Sequence, residues 1–245
     1  MFCKNTKRIK FNIIYILTIF FLINFNLFGQ SIELKKYFSE TSKHYKNKNF
    51  NKASLSADKA IKLSLIEFGE EHSITATLLE NKGRIYTMQN NHLDAEKLFF
   101  KVVAIRKKIL DKKNPDYAES LDHLARSIRA QGRLKEATVI HNEVLSIMTY
   151  VIANNPHAIS NLTRLASLYR ARALHTKAYL LTEKKSYKES YGFYNSASVI
   201  YERALGKNKK ELLELLNKYR ETLLLNNKNE EAQKIDSKIN KLKSL

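Results

Sequence analysis

The chain has 245 residues, of which 44% are hydrophobic, and carries a formal net charge of +19. It contains only 6 glycines and 2 prolines, too few for the frequent turns of a many-stranded β fold. The composition therefore favours long helices with short connections. A positive excess of this size suits an acidic protein, an anionic surface or nucleic acid. The lysines are scattered, however, and do not alternate with aromatic residues as in a base-stacking platform, so we expect no nucleic-acid partner.

Residues 1–29 have the pattern of an export signal. Residues 1–10 hold four basic side chains and no acidic one, an apolar run from Ile13 to Ile23 follows, and Gly29 offers a small residue for cleavage. The alternative is an uncleaved anchor, which would be the chain's only contact with a membrane. Cys3 is the single cysteine and precedes the apolar run, so the mature chain holds neither a disulfide nor a thiolate metal site. We expect an exported bacterial protein that is periplasmic or associated with the cell envelope.

Small residues then recur at a nearly constant spacing along the chain, which predicts a repeat architecture. Each unit shows apolar residues at helical spacing in two consecutive segments, as expected for a pair of antiparallel helices. The recurring small residues are Gly83, Ala125 and Ala166 in the first helices and Ala53, Ala95, Ala137 and Ala178 in the second helices. They predict an array over 31–206 with hairpins at about 34–68, 76–110, 118–151 and 159–191, an extra helix at 193–206, and a C-terminal capping hairpin at 209–243.

One unit carries the residues that define a known repeat. The pattern Gly-x-x-His-x-x-x-Ala-x-x-Leu-x-Asn-x-Gly is present as Gly69, His72, Ala76, Leu79, Asn81 and Gly83. The chain resembles the tetratricopeptide repeat (TPR), in the 42-residue form of kinesin light chains and related bacterial proteins, over roughly residues 34–190. The resemblance implies an all-α, right-handed α-solenoid of stacked antiparallel helical hairpins that acts as a scaffold for protein–protein interaction.

Catalytic and metal-binding motifs are missing from the sequence. It contains no His-Glu-x-x-His helix, no two histidines four residues apart and no Gly-x-x-x-x-Gly-Lys-Ser/Thr phosphate loop. We therefore expect neither an enzyme nor a cofactor, and no metal site.

The TPR resemblance also implies which residues bind a partner, because in that family the first helix of each hairpin lines a concave groove. The groove positions predicted to bind a peptide are Asn81, Arg84, His123, Arg126, Arg129, Arg164 and Arg170. Arginine binds carboxylates through paired N–H donors, and asparagine can hold a peptide backbone. These residues predict a groove for an extended, acidic peptide or a C-terminal tail.

Two alternatives remain open at this stage. Glu80, Glu119 and Asp122 fall on the same helix faces, so the arginines could be neutralised within the array and form only a solvated salt-bridge surface. The second alternative is a polyanion binder for envelope glycans or lipid head groups, which would use surface lysines such as Lys209 and Lys210.

Overall fold

A computed structural model describes residues 31–154, 159–204 and 210–244. Within these ranges the chain forms ten α-helices and no strand. The helices are α1 (Ile32–Lys46), α2 (Phe50–Phe68), α3 (Ser73–Met88), α4 (His92–Ile109), α5 (Pro115–Ala130), α6 (Leu134–Asn154), α7 (Ile159–Glu183), α8 (Tyr187–Ala204), α9 (Lys210–Leu225) and α10 (Asn229–Lys243). Each helix packs against the next one along the chain. The predicted all-α solenoid of antiparallel hairpins is confirmed.

Local sequence explains where several helices begin. The side chains of Asn49, Asn91 and Asn114 each accept a hydrogen bond from a backbone N–H in the first turn of the following helix. His72 caps α3 in the same way, through Nδ1 and the N–H of Ile74 at 3.2 Å. These caps satisfy donors that a helix start otherwise leaves unpaired.

The turns inside the hairpins reveal the spacing of the stack. Within the described ranges, five residues adopt a left-handed backbone just after the first helix of a hairpin: Lys48, Asn90, Gly132, Lys185 and Asn227. The steps from Lys48 to Asn90, from Asn90 to Gly132 and from Lys185 to Asn227 are equal in length. The step from Gly132 to Lys185 is longer than these by about three turns of α-helix.

This longer interval corrects the predicted fourth hairpin. The sequence pattern placed a hairpin at 159–191 and an extra helix at 193–206, whereas α7 is one helix of 25 residues and α8 is its partner. Ala178 therefore lies on the first helix of its hairpin, at the place of Ala125, and was wrongly assigned to a second helix. The prediction failed because an insertion of nearly whole turns leaves the helical face almost unchanged, so the apolar pattern still matches.

The core lies between neighbouring helices and depends on small residues where they cross. Ala53, Ala95, Ala125, Ala137 and Ala178 are fully buried. At Gly83 the approach is closer still, since a Cβ there would lie 2.7 Å from the ring of Phe99. Most packing contacts of this kind join helices that follow each other along the chain, so the apolar core is built pair by pair.

The predicted export signal, residues 1–29, lies outside the described residues. Among the helices that the structure describes, none is both long and apolar enough to cross a membrane.

Candidate functional site

The first helices of the hairpins, α1, α3, α5, α7 and α9, bring polar side chains together on one side of the stack. We call this side the first-helix face. Relative to the hairpin turns, Glu119, Asp122, His123, Arg126 and Arg129 of α5 correspond to Arg172, His175, Thr176, Tyr179 and Thr182 of α7. The contacts of α5 with α7 and α9 through these residues show that they share one face.

Arg172 is the centre of a buried ion network that joins three first helices. Its Nε and Nη2 donate to the two carboxylate oxygens of Glu211 on α9, at 2.9 and 2.8 Å. Its Nη1 pairs with Asp122 on α5, and Arg126 lies 3.2 Å from the Glu211 carboxylate. Burial alone would raise the pKa of Glu211, but Arg172 and Arg126 hold it well below its usual range. Glu211 is therefore ionised and anchors the end of α9 on this face.

Arg129 extends the network towards two buried histidines. It donates to Nδ1 of His175 at 2.7 Å and pairs with Glu214 at 3.1 Å. Since arginine can only donate, Nδ1 of His175 is the unprotonated acceptor. Burial, reinforced by Arg129, lowers the pKa of His175 well below its usual value. Burial and Arg129 likewise lower the pKa of His141 to about 3, so both rings are neutral at pH 7.

A second polar cluster lies between α3 and α5. Glu80 is buried and pairs with Arg106 at 2.5 Å. Arg106 is fixed by two further bonds, to the backbone oxygen of Asp116 at 2.8 Å and to Oγ of Ser120 at 2.7 Å. Burial raises the pKa of Glu80 to about 7 against the opposing effect of Arg106. Near neutral pH this carboxyl group is therefore partly protonated.

His123 lies against the same cluster. Its Nε2 is 3.8 Å from a carboxylate oxygen of Glu80 and 3.8 Å from one of Glu119. The ring stacks on Phe99, with centroids 5.1 Å apart and planes 13° apart. Burial lowers the pKa of His123, which leaves the ring neutral with an available lone pair.

The structure places the predicted groove residues in different environments, and His123 lies in the cluster described above. Arg126 and Arg129 are on the first-helix face but are paired with glutamates of α9. Asn81 is buried, and its Nδ2 has no hydrogen-bond partner among the described residues. Arg84 is partly exposed and lies over the ring of Tyr45, 6.0 Å from its centroid.

Two of the predicted residues, Arg164 and Arg170, are not equivalent to the others. Both are exposed, and Arg164 donates through Nε to the carbonyl oxygen of Ala204 at 3.0 Å, at the last residue of α8. Both assignments used the misplaced fourth hairpin. Counted from the turn at Lys185, the first-helix face of α7 carries Arg172 and His175 instead.

Sequence reasoning missed three features of the site: Arg172 and His175 of α7, Glu211 and Glu214 of α9, and the proximity of Glu119 to His123. Placing Arg172 and His175 on this face required knowing where α7 ends. The turn after α7 has a left-handed backbone at Lys185, but lysine is not a residue type that indicates such a turn. The second pair required knowing that α9 reaches α5. The third was accessible, because Glu119 and His123 are four residues apart and such residues are neighbours on a helix.

Comparison with known proteins agrees with this architecture. A family model described as tetratricopeptide repeat matches residues 75–149. The solved structure of a putative kinesin light chain with nearly identical TPR-like repeats, from Podosopora anserina, is similar with a TM-score of 0.55 and 18% identity, and the match covers 86% of this chain and 95% of that one. BtubC (BKLC) from P. vanneervenii is similar with a TM-score of 0.58 and 9% identity over 86% of this chain and 79% of that one. A search of curated proteins found no match. At these identities the likeness establishes the fold, a TPR-like solenoid.

Proposed function

We propose that this protein is an exported interaction scaffold that binds an extended, acidic segment of a partner protein on the first-helix face, near α1, α3 and α5. A solenoid of hairpins buries its core between neighbouring units and offers the face between its first helices as an extended binding surface. Proteins with TPR repeats generally act in this way and not as enzymes. The expected export of the chain places the partner in the periplasm or cell envelope.

The observation that carries the proposal is the seating of Glu211 and Glu214 on Arg126 and Arg129. Two carboxylates three residues apart on α9 fit two arginines three residues apart on α5. The chain thus provides its own example of acidic side chains bound on this face. Since α9 is integral to the core through Leu212, Leu215 and Leu216, this half of the face is closed to an outside ligand.

The other half of the face offers the space for a partner. Arg84 is partly exposed there, and at the boundary with the closed half the side chain of Arg126 keeps 26% of its surface accessible beyond its contact with Glu211. Tyr45, also partly exposed, adds a flat ring beside Arg84. An extended segment with a carboxylate opposite Arg84 would gain a charge-assisted hydrogen bond and contact with that ring.

The test compares two arginines that differ in location. The probe is a fluorescein-labelled decapeptide of alternating glutamate and alanine, with the glutamine version as its neutral control, followed by fluorescence anisotropy at 150 mM salt. We expect Arg84→Ala to weaken binding of the glutamate peptide at least fivefold. Arg170→Ala removes an exposed arginine outside the predicted contact and should leave binding unchanged.

Three outcomes would contradict the proposal. The first is equal binding of the glutamate and glutamine peptides, and the second is an equal loss in the Arg84 and Arg170 variants. The third is binding that depends only on surface lysines such as Lys210, which would favour the polyanion alternative with its steep, sequence-independent salt dependence. Export is tested separately, by N-terminal sequencing of the mature protein, which we expect to begin at Gln30.

A further inference from the structure

We propose that Glu80, Glu119 and His123 form a binding site for a divalent transition-metal ion, with Zn²⁺ as the best-fitting ion. The three residues come from two neighbouring first helices, Glu80 from α3 and the other two from α5. Glu119 and His123 are one helical turn apart, so their side chains project from the same face of α5. The site goes beyond peptide binding and does not depend on it.

The distances within this cluster are unsuitable for direct hydrogen bonds. Nε2 of His123 is 3.8 Å from the nearest oxygen of each carboxylate, and the three ligand atoms all lie within 4.8 Å of one another. A hydrogen bond between nitrogen and oxygen requires about 2.7–3.2 Å. The point in their plane that is equidistant from three atoms so arranged lies at most about 2.5 Å from each, close to the Zn–N and Zn–O distances of about 2.0–2.2 Å.

A second observation also indicates that this cluster binds a ligand. Nε2 of His123 is inaccessible to solvent and has no hydrogen-bond partner among the described residues. Buried polar atoms are almost always paired, and an orphaned one signals a bound water or ion. The nitrogen is directed between two carboxylates, an environment that attracts a cation.

The surroundings hold the ligands in place before any ion arrives. The second oxygen of Glu80 pairs with Arg106, whose other bonds fix it to α5. The His123 ring is stacked on Phe99, which itself fits against Gly83. Such outer contacts orient metal ligands and reduce the cost of assembling the site.

The ligand set selects the class of ion. One imidazole nitrogen and two carboxylates suit Zn²⁺ and similar transition metals, whereas Mg²⁺ and Ca²⁺ prefer oxygen ligands alone. The side chain of Glu119 keeps 34% of its surface accessible to solvent, so an ion can reach the cluster and a water molecule can serve as a further ligand. Arg84 and Arg126 lie near enough to His123 to oppose a cation, so we expect micromolar affinity and not the tight binding of a structural zinc site.

The test measures metal content and metal-dependent stability of the whole protein. Equilibrium dialysis against 50 µM ZnCl₂ at pH 7.5, followed by metal analysis, should give one Zn²⁺ per chain. Zn²⁺ at about one hundred times its Kd should raise the Tm by roughly 5 °C or more, whereas the same concentration of Mg²⁺ should not.

Variants distinguish this site from adventitious binding. His123→Gln and Glu119→Gln should each weaken Zn²⁺ binding at least tenfold, while His44→Gln, on α1, should not. Glu119 is partly exposed, so its variant keeps the test valid if the His123 variant fails to fold. The proposal is overturned if dialysis leaves no zinc on the protein, which would mean that water fills the site, or if both variants retain the metal.

Discussion

Replacing Arg172 with methionine should strongly destabilise the stack, because this residue joins three helices of the first-helix face. Arg172 is only 7% exposed and bonds to Glu211 at 2.8 and 2.9 Å while also pairing with Asp122. Methionine preserves most of the aliphatic stem but leaves buried Asp122 without a counter-charge and leaves Glu211 with Arg126 as its remaining one. Breaking a buried ion pair from one side costs about 3–5 kcal/mol. For a chain of this size that corresponds to a fall in Tm of roughly 6–20 °C.

The assay is urea unfolding followed by circular dichroism at 222 nm, with Arg170→Met as the exposed control on the same helix. A second variant then adds Asp122→Asn and Glu211→Gln to Arg172→Met, which removes the two carboxylate charges that Arg172 neutralised. We expect this triple variant to recover part of the lost free energy of unfolding. A loss below about 1 kcal/mol in the single variant, or a further loss in the triple variant, would refute the electrostatic argument.

Two further predictions concern the buried histidines and the helix crossings. The pKa of His141 is about 3 in the folded protein, against 6.5 for the ordinary side chain, so only the unfolded chain gains this proton between pH 7 and pH 5. Lowering the pH from 7 to 5 therefore reduces the free energy of unfolding by about 2 kcal/mol through His141 alone. His141→Gln lacks this titration, so the amount by which it is less stable than wild type should be about 2 kcal/mol smaller at pH 5 than at pH 7. Urea titrations at the two pH values measure this difference. Gly83→Ala should cost about 1–3 kcal/mol, because the new Cβ would clash with Phe99, which is held in turn by His123. Gly192→Ala, where a Cβ meets nothing within 4 Å, should instead be neutral or slightly stabilising, and equal effects of the two changes would contradict this explanation.

The sequence predicts most of the fold because the residues that recur in each repeat act on helices that are close in sequence. Ala95 and Ala137 are small where two helices cross, and Asn91 and Asn114 cap the helices that follow them. These requirements involve neighbours in sequence, so they leave a pattern that can be aligned. The first three hairpins accordingly begin and end close to the bounds of the predicted units.

The error in the fourth unit has a geometric cause. The structure adds about three helical turns between the left-handed residues Gly132 and Lys185, and an insertion of nearly whole turns restores the same helix face. Ala166 and Ala178 therefore fitted the repeat spacing of the earlier hairpins, although both alanines belong to one helix, α7. Apolar periodicity identifies a helix face but cannot count the turns of a helix.

The candidate site was less predictable because it depends on contacts between distant residues. Arg126 and Arg129 were expected on the first-helix face, yet their partners Glu211 and Glu214 lie two hairpins further along the chain, on α9. No local rule links these positions. By contrast, the proximity of Glu119 to His123 follows from helix geometry, and only Glu80 required the structure.

The ion network also changes how the charge of +19 should act on binding. On the half of the first-helix face formed by α5, α7 and α9, three arginines oppose three carboxylates, those of Asp122, Glu211 and Glu214. The positive excess therefore lies largely elsewhere, on lysines dispersed over the surface. Dispersed charge attracts an acidic partner over a distance and is screened by salt, whereas Arg84 would contact the partner directly.

The two effects should separate in kinetics. Raising NaCl from 50 to 300 mM should mainly lower the association rate of the glutamate–alanine peptide, by about tenfold, because steering by charge acts on encounter. Arg84→Ala should mainly raise the dissociation rate, since it removes a contact of the bound state. Stopped-flow anisotropy measures both rates. If Arg84→Ala altered only the association rate, Arg84 would be one more steering charge, and the binding surface would have to be sought away from α3.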